Sequence, residues 1–173
     1  MTSCSRLTGE TETEWRKSPT HQGGFLLDGG VHFTAGIRLL LGSANAIARL
    51  SAFATQLQKH LPPVDTVDAT LKTKTGVTGT FSVSFGTSLT GSEWTVACEG
   101  GSVSVSRPTV TTDIDGHKES KDVKDERTGV PPEVRHWAEA MNSGKQNEEQ
   151  KPEEALADLE LVRVYLDMYC PVF

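Results

Sequence analysis

The chain has 173 residues, a hydrophobic share of 36% and a formal net charge of −6, with acidic and basic residues mixed along its length. This length predicts one domain with one core, and the acidic balance argues against the basic patch that a nucleic-acid or membrane-surface partner would need. Cys4, Cys98 and Cys170 are too few and too far apart for a disulfide framework or a zinc knuckle. We therefore expect a cytoplasmic protein with no nucleic-acid and no membrane partner.

Residues 24–41 predict the first element, an amphipathic helix. Its apolar stripe recurs at three- and four-residue steps and consists of Leu26, Gly30, Phe33, Ile37 and Leu40. Asp28 and His32 fall on the opposite side, together with Ala35. Glycine costs a helix about 1 kcal/mol relative to alanine, so the pair Gly29-Gly30 predicts that a packed element or a ligand approaches the backbone there. The Ala- and Ser-rich residues 43–55 predict a softer connection or a second short helix.

The middle of the chain predicts a β-sheet. Apolar residues alternate with serine, threonine or charged residues in four segments, 67–73, 77–85, 93–99 and 102–106. Gly100-Gly101 predicts a hairpin turn, and the Asp-Gly pair within 113–118 predicts another. One apolar and one Ser/Thr face indicate antiparallel strands exposed on one side. We expect that open face to hold a second copy of the chain.

Two helices are predicted in the last third of the chain. Residues 131–144 begin with prolines and end at a glycine, with Val134, Trp137 and Met141 on one face. Residues 152–166 begin with Pro152 and acidic residues. We expect Trp137 and Trp94 to lie in the core.

The spacing of Asp28 and His32 permits chemistry. Residues four apart on a helix share one face, and histidine exchanges protons near neutral pH. The same pair could instead be purely structural, or two ligands of a metal that needs a third, for which His136 and Glu139 are the candidates. His21 is interpreted as an exposed loop residue. No dinucleotide or phosphate-loop glycine motif and no β-α-β alternation is present in the sequence.

The segment "GGFLLDGGVHF", residues 23–33, with the downstream strands and the stretches "GVPPEVRHWAEAM" and "PEEALADLELV", resembles the C-terminal domain of the glucose–fructose oxidoreductase/inositol dehydrogenase family (Gfo/Idh/MocA). The resemblance covers about 14–164. It implies an α+β fold with an open, mostly antiparallel sheet, helices packed on one face, and no Rossmann domain within the chain. Members often carry an aspartate where this chain has Ala35.

The resemblance also implies a function. Family members are NAD(P)-dependent dehydrogenases that act on sugars, polyols and related hydroxy compounds. Asp28 and His32 match the family's catalytic pair, in which the histidine moves the substrate proton and the aspartate orients it. Arg16, Gly24 and Gly29 are the predicted substrate-binding residues, although Arg16 could equally contact a neighbouring subunit or form a surface ion pair. No residue is predicted to bind a cofactor or a metal.

The predicted organisation is a flexible extension at 1–13, the substrate and oligomerisation domain at 14–168, and an atypical tail at 169–173. NAD(P) is expected to act in the full-length family member and not to bind this chain alone, which we expect to be inactive by itself. Two alternatives remain open. One is a binding or scaffold domain that is not an enzyme, and the other is a subunit that complements a separate Rossmann domain.

Overall fold

The computed structural model describes residues 2–4 (backbone only), 13–20, 24–124, 126 and 128–168. Most of the predicted extension 1–13, the residues His21 and Gly23, and the tail 169–173 lie outside the described residues. The chain divides into two compact units. The first comprises Met1–Trp94 with Asp158–Phe173, and the second comprises Thr95–Ala157.

The first unit is built on a sheet with the strand order β2-β3-β4-β1-β5. Its strands are β1 (Thr2–Cys4), β2 (Ile47–Thr55), β3 (Thr66–Thr73), β4 (Thr78–Ser84) and the first half of β5 (Gly91–Cys98), which passes into the second unit after Trp94. Neighbouring strands are antiparallel except β1 and β4, which are parallel. The sequence predicted β3, β4 and β5, and a turn at residues 74–76 joins β3 to β4.

The prediction for residues 43–55 is wrong over most of its length. A single 3-10 turn, Ser43–Asn45, is followed by the nine-residue edge strand β2. Within β2, Leu50, Ala52 and Ala54 are half-buried against the core, whereas Phe53 is 86% exposed. Because Phe53 faces outwards between two inward-facing alanines, three consecutive apolar residues interrupt the polar–apolar alternation that would have indicated a strand.

Helices α2 (Gly24–Leu41) and α4 (Pro152–Asp167) cover one face of this sheet and match the predicted helices closely, with α4 belonging to the first unit from Asp158 onwards. The short helix α1 (Glu14–Lys17) precedes α2 and contacts it. The core between α2, α4 and the strands consists of Phe25, Leu26, Ile37, Leu61, Val64, Val67, Ala69, Leu71, Phe81, Val83, Phe85 and Tyr165. Tyr165 of α4 stacks on Phe81 of β4 with 5.0 Å between ring centroids. By length and composition α2 could cross a membrane, a property that core helices share, and here its residues pack on the sheet.

A buried carboxylate joins the segment after β2 to the start of β3. Asp65 is fully buried and accepts hydrogen bonds from the backbone N–H groups of Leu57 (3.0 Å) and Gln58 (2.7 Å). The hydroxyl of Thr66 donates to it at 2.8 Å. A Cβ on Gly86 would lie 2.7 Å from the Asp65 carboxylate, so the backbone after β4 is also packed on this group. The donors together satisfy a charge that would be costly to bury alone.

The second unit contains a meander and a helix. Strands β6 (Gly101–Ser106), β7 (Thr109–Ile114) and β8 (His117–Asp122) are antiparallel in chain order, and α3 spans Val130–Ser143. The predicted Asp-Gly turn is confirmed at Asp115-Gly116, where both residues have positive φ (51° and 80°). Helix α3 ends, as predicted, at Gly144 in the left-handed conformation.

The expectation that Trp137 lies in the core is wrong. Its side chain is 58% exposed, and Val130, Val134 and Met141 on the same face of α3 are also exposed. The helical spacing correctly indicated one apolar face, but no described residue covers that face within the second unit. Trp94 differs, because its ring is half-buried and stacks on Phe33 of α2 at 5.9 Å.

The fold class is therefore α+β, as predicted. Antiparallel pairing dominates both sheets, and in the first unit the helices lie on one face while Asp68, Thr70 and Lys72 of β3 are exposed on the other. The covered face of the sheet fixes the position of α2, the helix that carries the predicted catalytic pair.

Candidate active site on helix α2

Helix α2 presents Asp28 and His32 on the same side, one turn apart. The Asp28 side chain is 34% exposed and His32 is exposed. The neighbouring face of the helix is buried through Phe25, Leu26 and Ile37. The predicted pair is thus accessible to a ligand, while its helix is fixed by the core. Among the described residues no hydrogen bond or ion pair involves the His32 ring.

Asp28 is held by an arginine from outside the helix. Arg16 of α1 donates to Asp28 Oδ2 from Nε at 3.1 Å and from Nη2 at 2.7 Å. The two side chains are 24% and 34% exposed, so the pair is only partly solvated. Of the roles considered for Arg16, the structure shows an ion pair within the chain. The sequence did not indicate Asp28 as its partner, because the two residues are 12 positions apart and lie on different helices.

The guanidinium group of Arg16 is itself supported. It lies over the ring of Trp15 at 4.2 Å from the centroid, a distance typical of a cation–π contact. Nη1 donates to the hydroxyl of Thr13 at 2.9 Å. Short helix α1 therefore supplies a preorganised cation to the beginning of α2. Substrate contact by Arg16 stays a prediction.

The two predicted substrate-binding glycines lie against the protein's own atoms. Gly24 begins α2 with φ +43°, and a Cβ there would lie 2.0 Å from the carbonyl oxygen of Pro62. A Cβ on Gly29 would lie 2.8 Å from the ring of Phe85 and 3.0 Å from that of Phe25. The predicted close approach at Gly29 is thus made by a packed element. Substrate contact by either glycine stays a prediction.

The described residues contain no dinucleotide-binding turn of the common type. No described strand leads through a Gly-x-Gly-x-x-Gly turn into a helix, which is the local structure that binds a pyrophosphate in such domains. Nor does the described part of the chain bring together three His, Cys, Asp or Glu side chains able to hold a metal ion. What the site does offer is an exposed imidazole, a carboxylate and a guanidinium on two adjacent helices.

An open antiparallel sheet backed by a helix with an exposed Asp–His pair defines an α+β domain with one accessible polar site. Residues 2–104, more than half of the chain, match the GFO/IDH/MocA C-terminal domain. The chain therefore belongs to this family of oxidoreductases, and its described fold corresponds to the family's C-terminal domain. The resemblance stated from the residues 23–33 is confirmed.

Individual proteins related to this chain support the same family assignment. The chain is 36% identical over 161 residues to the dehydrogenase FPY6 of Fusarium mangiferae, covering 90% of this chain and 46% of that protein. An oxidoreductase structure from Thermotoga maritima has a TM-score of 0.81 at 28% identity and is matched over 95% of this chain and 49% of its own. An aldose-aldose oxidoreductase from Caulobacter crescentus, solved with glycerol, has a TM-score of 0.77 at 15% identity over 96% and 51% of the two chains.

Two features of these relatives bear on function. The chain spans about half the length of the Fusarium dehydrogenase and of the two solved structures. In addition, other chains with this fold were solved with NADP or with NAD+. These two proteins therefore bind nicotinamide dinucleotides.

Proposed function

We propose that this chain supplies the substrate-binding and oligomerisation half of an NAD(P)-dependent oxidoreductase that acts on a hydroxyl group of a sugar- or polyol-type compound. One observation carries the proposal: Asp28 and His32 share an accessible face of α2, with Asp28 fixed by Arg16. Family membership supports the reaction class. The aldose oxidoreductase with its bound glycerol supports the substrate class.

The roles follow from the chemistry of the side chains. His32 has no described partner on its ring, so its nitrogen can accept the proton of the substrate hydroxyl during oxidation and return it during reduction. Asp28 lies one turn away on the same face and can orient the imidazole ring or the substrate hydroxyl by accepting a hydrogen bond. Because no dinucleotide-binding turn lies among the described residues, they are assigned no part in hydride transfer.

The dinucleotide-binding half would come from residues outside these 173, in the same polypeptide or in a separate one. The 173-residue chain alone is then expected to bind NADPH and NADH no more tightly than millimolar, and to show no turnover. A fluorescence titration with either nucleotide measures this. A micromolar dissociation constant would contradict the proposal that the chain lacks the dinucleotide site.

The proton-transfer role is tested by His32→Ala in the chain combined with the dinucleotide-binding half of a relative. Loss of a general acid–base group is expected to lower kcat by about 10²–10⁴-fold, with cofactor affinity unchanged. His60→Ala, which removes another exposed histidine of the first unit, is the matched control and leaves kcat unchanged. Parallel loss of turnover and cofactor affinity would indicate a structural histidine, and unchanged turnover would favour a binding domain that is not an enzyme.

The oligomerisation role rests on the uncovered face of the first sheet. Phe53 is 86% exposed there, and its cross-strand neighbour Asp68 and the nearby Thr70 are exposed as well. A large aromatic residue surrounded by short polar ones suits burial against a second copy. Phe53→Glu is expected to convert dimers to monomers in light scattering, whereas Leu89→Glu, in the loop before β5, does not. A monomer in the unsubstituted chain at high concentration would refute this role.

A further inference from the structure

We propose that Arg16 is a positioning residue, which holds Asp28 by one carboxylate oxygen so that the other oxygen stays free to accept a hydrogen bond from His32 or from the substrate. This inference rests on the proposed function. It reassigns Arg16 from direct substrate contact to control of the carboxylate beside the catalytic histidine.

The two hydrogen bonds of the ion pair have an unusual distribution. Both Nε and Nη2 of Arg16 donate to Oδ2 of Asp28, whereas arginine and carboxylate groups commonly pair through both oxygens. Among the described residues no hydrogen bond reaches Oδ1. The structure therefore divides the carboxylate into an anchored oxygen and an available one.

The anchor is rigid enough to orient the carboxylate. Two donors at fixed spacing on one planar group define its approach more closely than a single ammonium group would. The Trp15 ring under the guanidinium and the Thr13 hydroxyl on Nη1 restrict the arginine further. Since both charged side chains are about one-quarter to one-third exposed, solvent screens the pair less than a fully exposed one.

The anchor also sets the charge seen by His32. Asp28 lies on the same helix face as His32, and the positive charge of Arg16 enters from α1 to offset it. No described side chain forms an ion pair or a hydrogen bond with His32. Removing Arg16 would leave the Asp28 charge unopposed, and removing Asp28 would leave that of Arg16.

The first test follows the Arg16 Nε–H resonance of the 173-residue chain by NMR, with Arg16→Gln to assign the signal. Because this N–H donates to Asp28, it is expected to be protected from exchange with solvent in the unsubstituted chain and in His32→Gln, and to lose that protection in Asp28→Asn. Arg135→Gln, which breaks the exposed pair with Glu126 in the second unit, is the matched control and leaves the protection of Arg16 unchanged.

Far-UV circular dichroism of each variant establishes that it is folded. If the Arg16 Nε–H exchanges equally fast in Asp28→Asn and in the unsubstituted chain, the positioning role is refuted.

The turnover rate is measured with the chain combined with a dinucleotide-binding half. This measurement distinguishes the two-donor geometry of the Arg16 guanidinium from its positive charge. Arg16→Gln and Arg16→Lys are both expected to lower kcat with KM nearly unchanged, because lysine keeps the charge but not the two-donor group. A rise in KM at constant kcat would instead assign Arg16 to substrate binding and overturn the inference. If His32→Ala leaves turnover intact, the proposed function fails; if His32→Ala abolishes turnover while Arg16→Gln changes nothing, only this inference fails.

Discussion

The buried carboxylate of Asp65 provides the sharpest test of how the scaffold under the site is held together. Asp65→Ala removes the acceptor of the Leu57 and Gln58 backbone N–H groups. The Asp65 carbonyl also accepts from the backbone of Phe85 at 2.8 Å, and the Phe85 ring is the surface on which α2 lies at Gly29. Loss of the Asp65 carboxylate should therefore also loosen the packing of α2, the helix that carries Asp28 and His32.

The expected magnitude follows from counting the donors left behind. An unpaired buried donor costs about 1–3 kcal/mol, and two backbone N–H groups lose their acceptor. The Thr66 hydroxyl adds little, because Ser84 remains 2.7 Å away as a partner. Residues 57 and 58 are themselves exposed, so water replaces part of the loss. We expect the free energy of unfolding to fall by about 2–4 kcal/mol.

Urea unfolding monitored by tryptophan fluorescence measures this loss. With a slope of about 2 kcal/mol per molar urea, the middle of the usual range for small proteins, the midpoint should fall by about 1–2 M. Asp68→Ala is the control, since this exposed aspartate of β3 accepts only from the Ser82 hydroxyl at 2.6 Å among the described residues. Its expected cost is below about 0.5 kcal/mol. Equal midpoints for the two variants would refute the reasoning.

Two further substitutions test the core around the site. Burial raises the pKa of Tyr165, whose hydroxyl has no described partner, so Tyr165→Phe should be neutral or stabilising at pH 7. The native chain should then lose stability relative to this variant above about pH 10, where the unfolded phenol ionises; parallel stability curves would contradict this. Gly36→Ala places a Cβ 2.9 Å from Trp94 Nε1, whereas Gly30→Ala meets only the end of Leu26 at 3.3 Å. The first should be less stable than the second by about 1–3 kcal/mol in thermal unfolding, and equal stability would show that the Trp94 ring moves aside at no cost.

Local sequence patterns correctly predicted the helices and strands whose apolar residues are the ones that face the core. The helical spacing of residues 24–41 placed α2 at its observed bounds, and the alternation in β3 and β4 placed both strands. Strand β2 was missed because its position at the sheet edge lets Phe53 face outwards. Helix α3 was predicted correctly as an element, but spacing alone says which face is apolar and not what covers it, so Trp137 was wrongly assigned to the core.

In the candidate site, too, local spacing predicted some features, whereas contacts that depend on the fold could not be predicted. A four-residue spacing was sufficient to place Asp28 and His32 on one side of α2. The partner of Asp28 was not predictable, because it depends on where the segment between α1 and α2 directs Arg16. Asp65 gave no signal either, since its burial depends on N–H groups from residues 57 and 58 that the fold brings to it.

The glycines of α2 set the tolerance of this helix to mutation position by position. Gly24, Gly29 and Gly36 lie directly against Pro62, Phe85 and Trp94, so a side chain at any of them requires its neighbour to shift. Leu39, in contrast, is exposed on the side that carries His32. Selection, in nature or in the laboratory, can therefore vary position 39 to change the surface beside the proposed proton-transfer pair while the packing of the helix is kept.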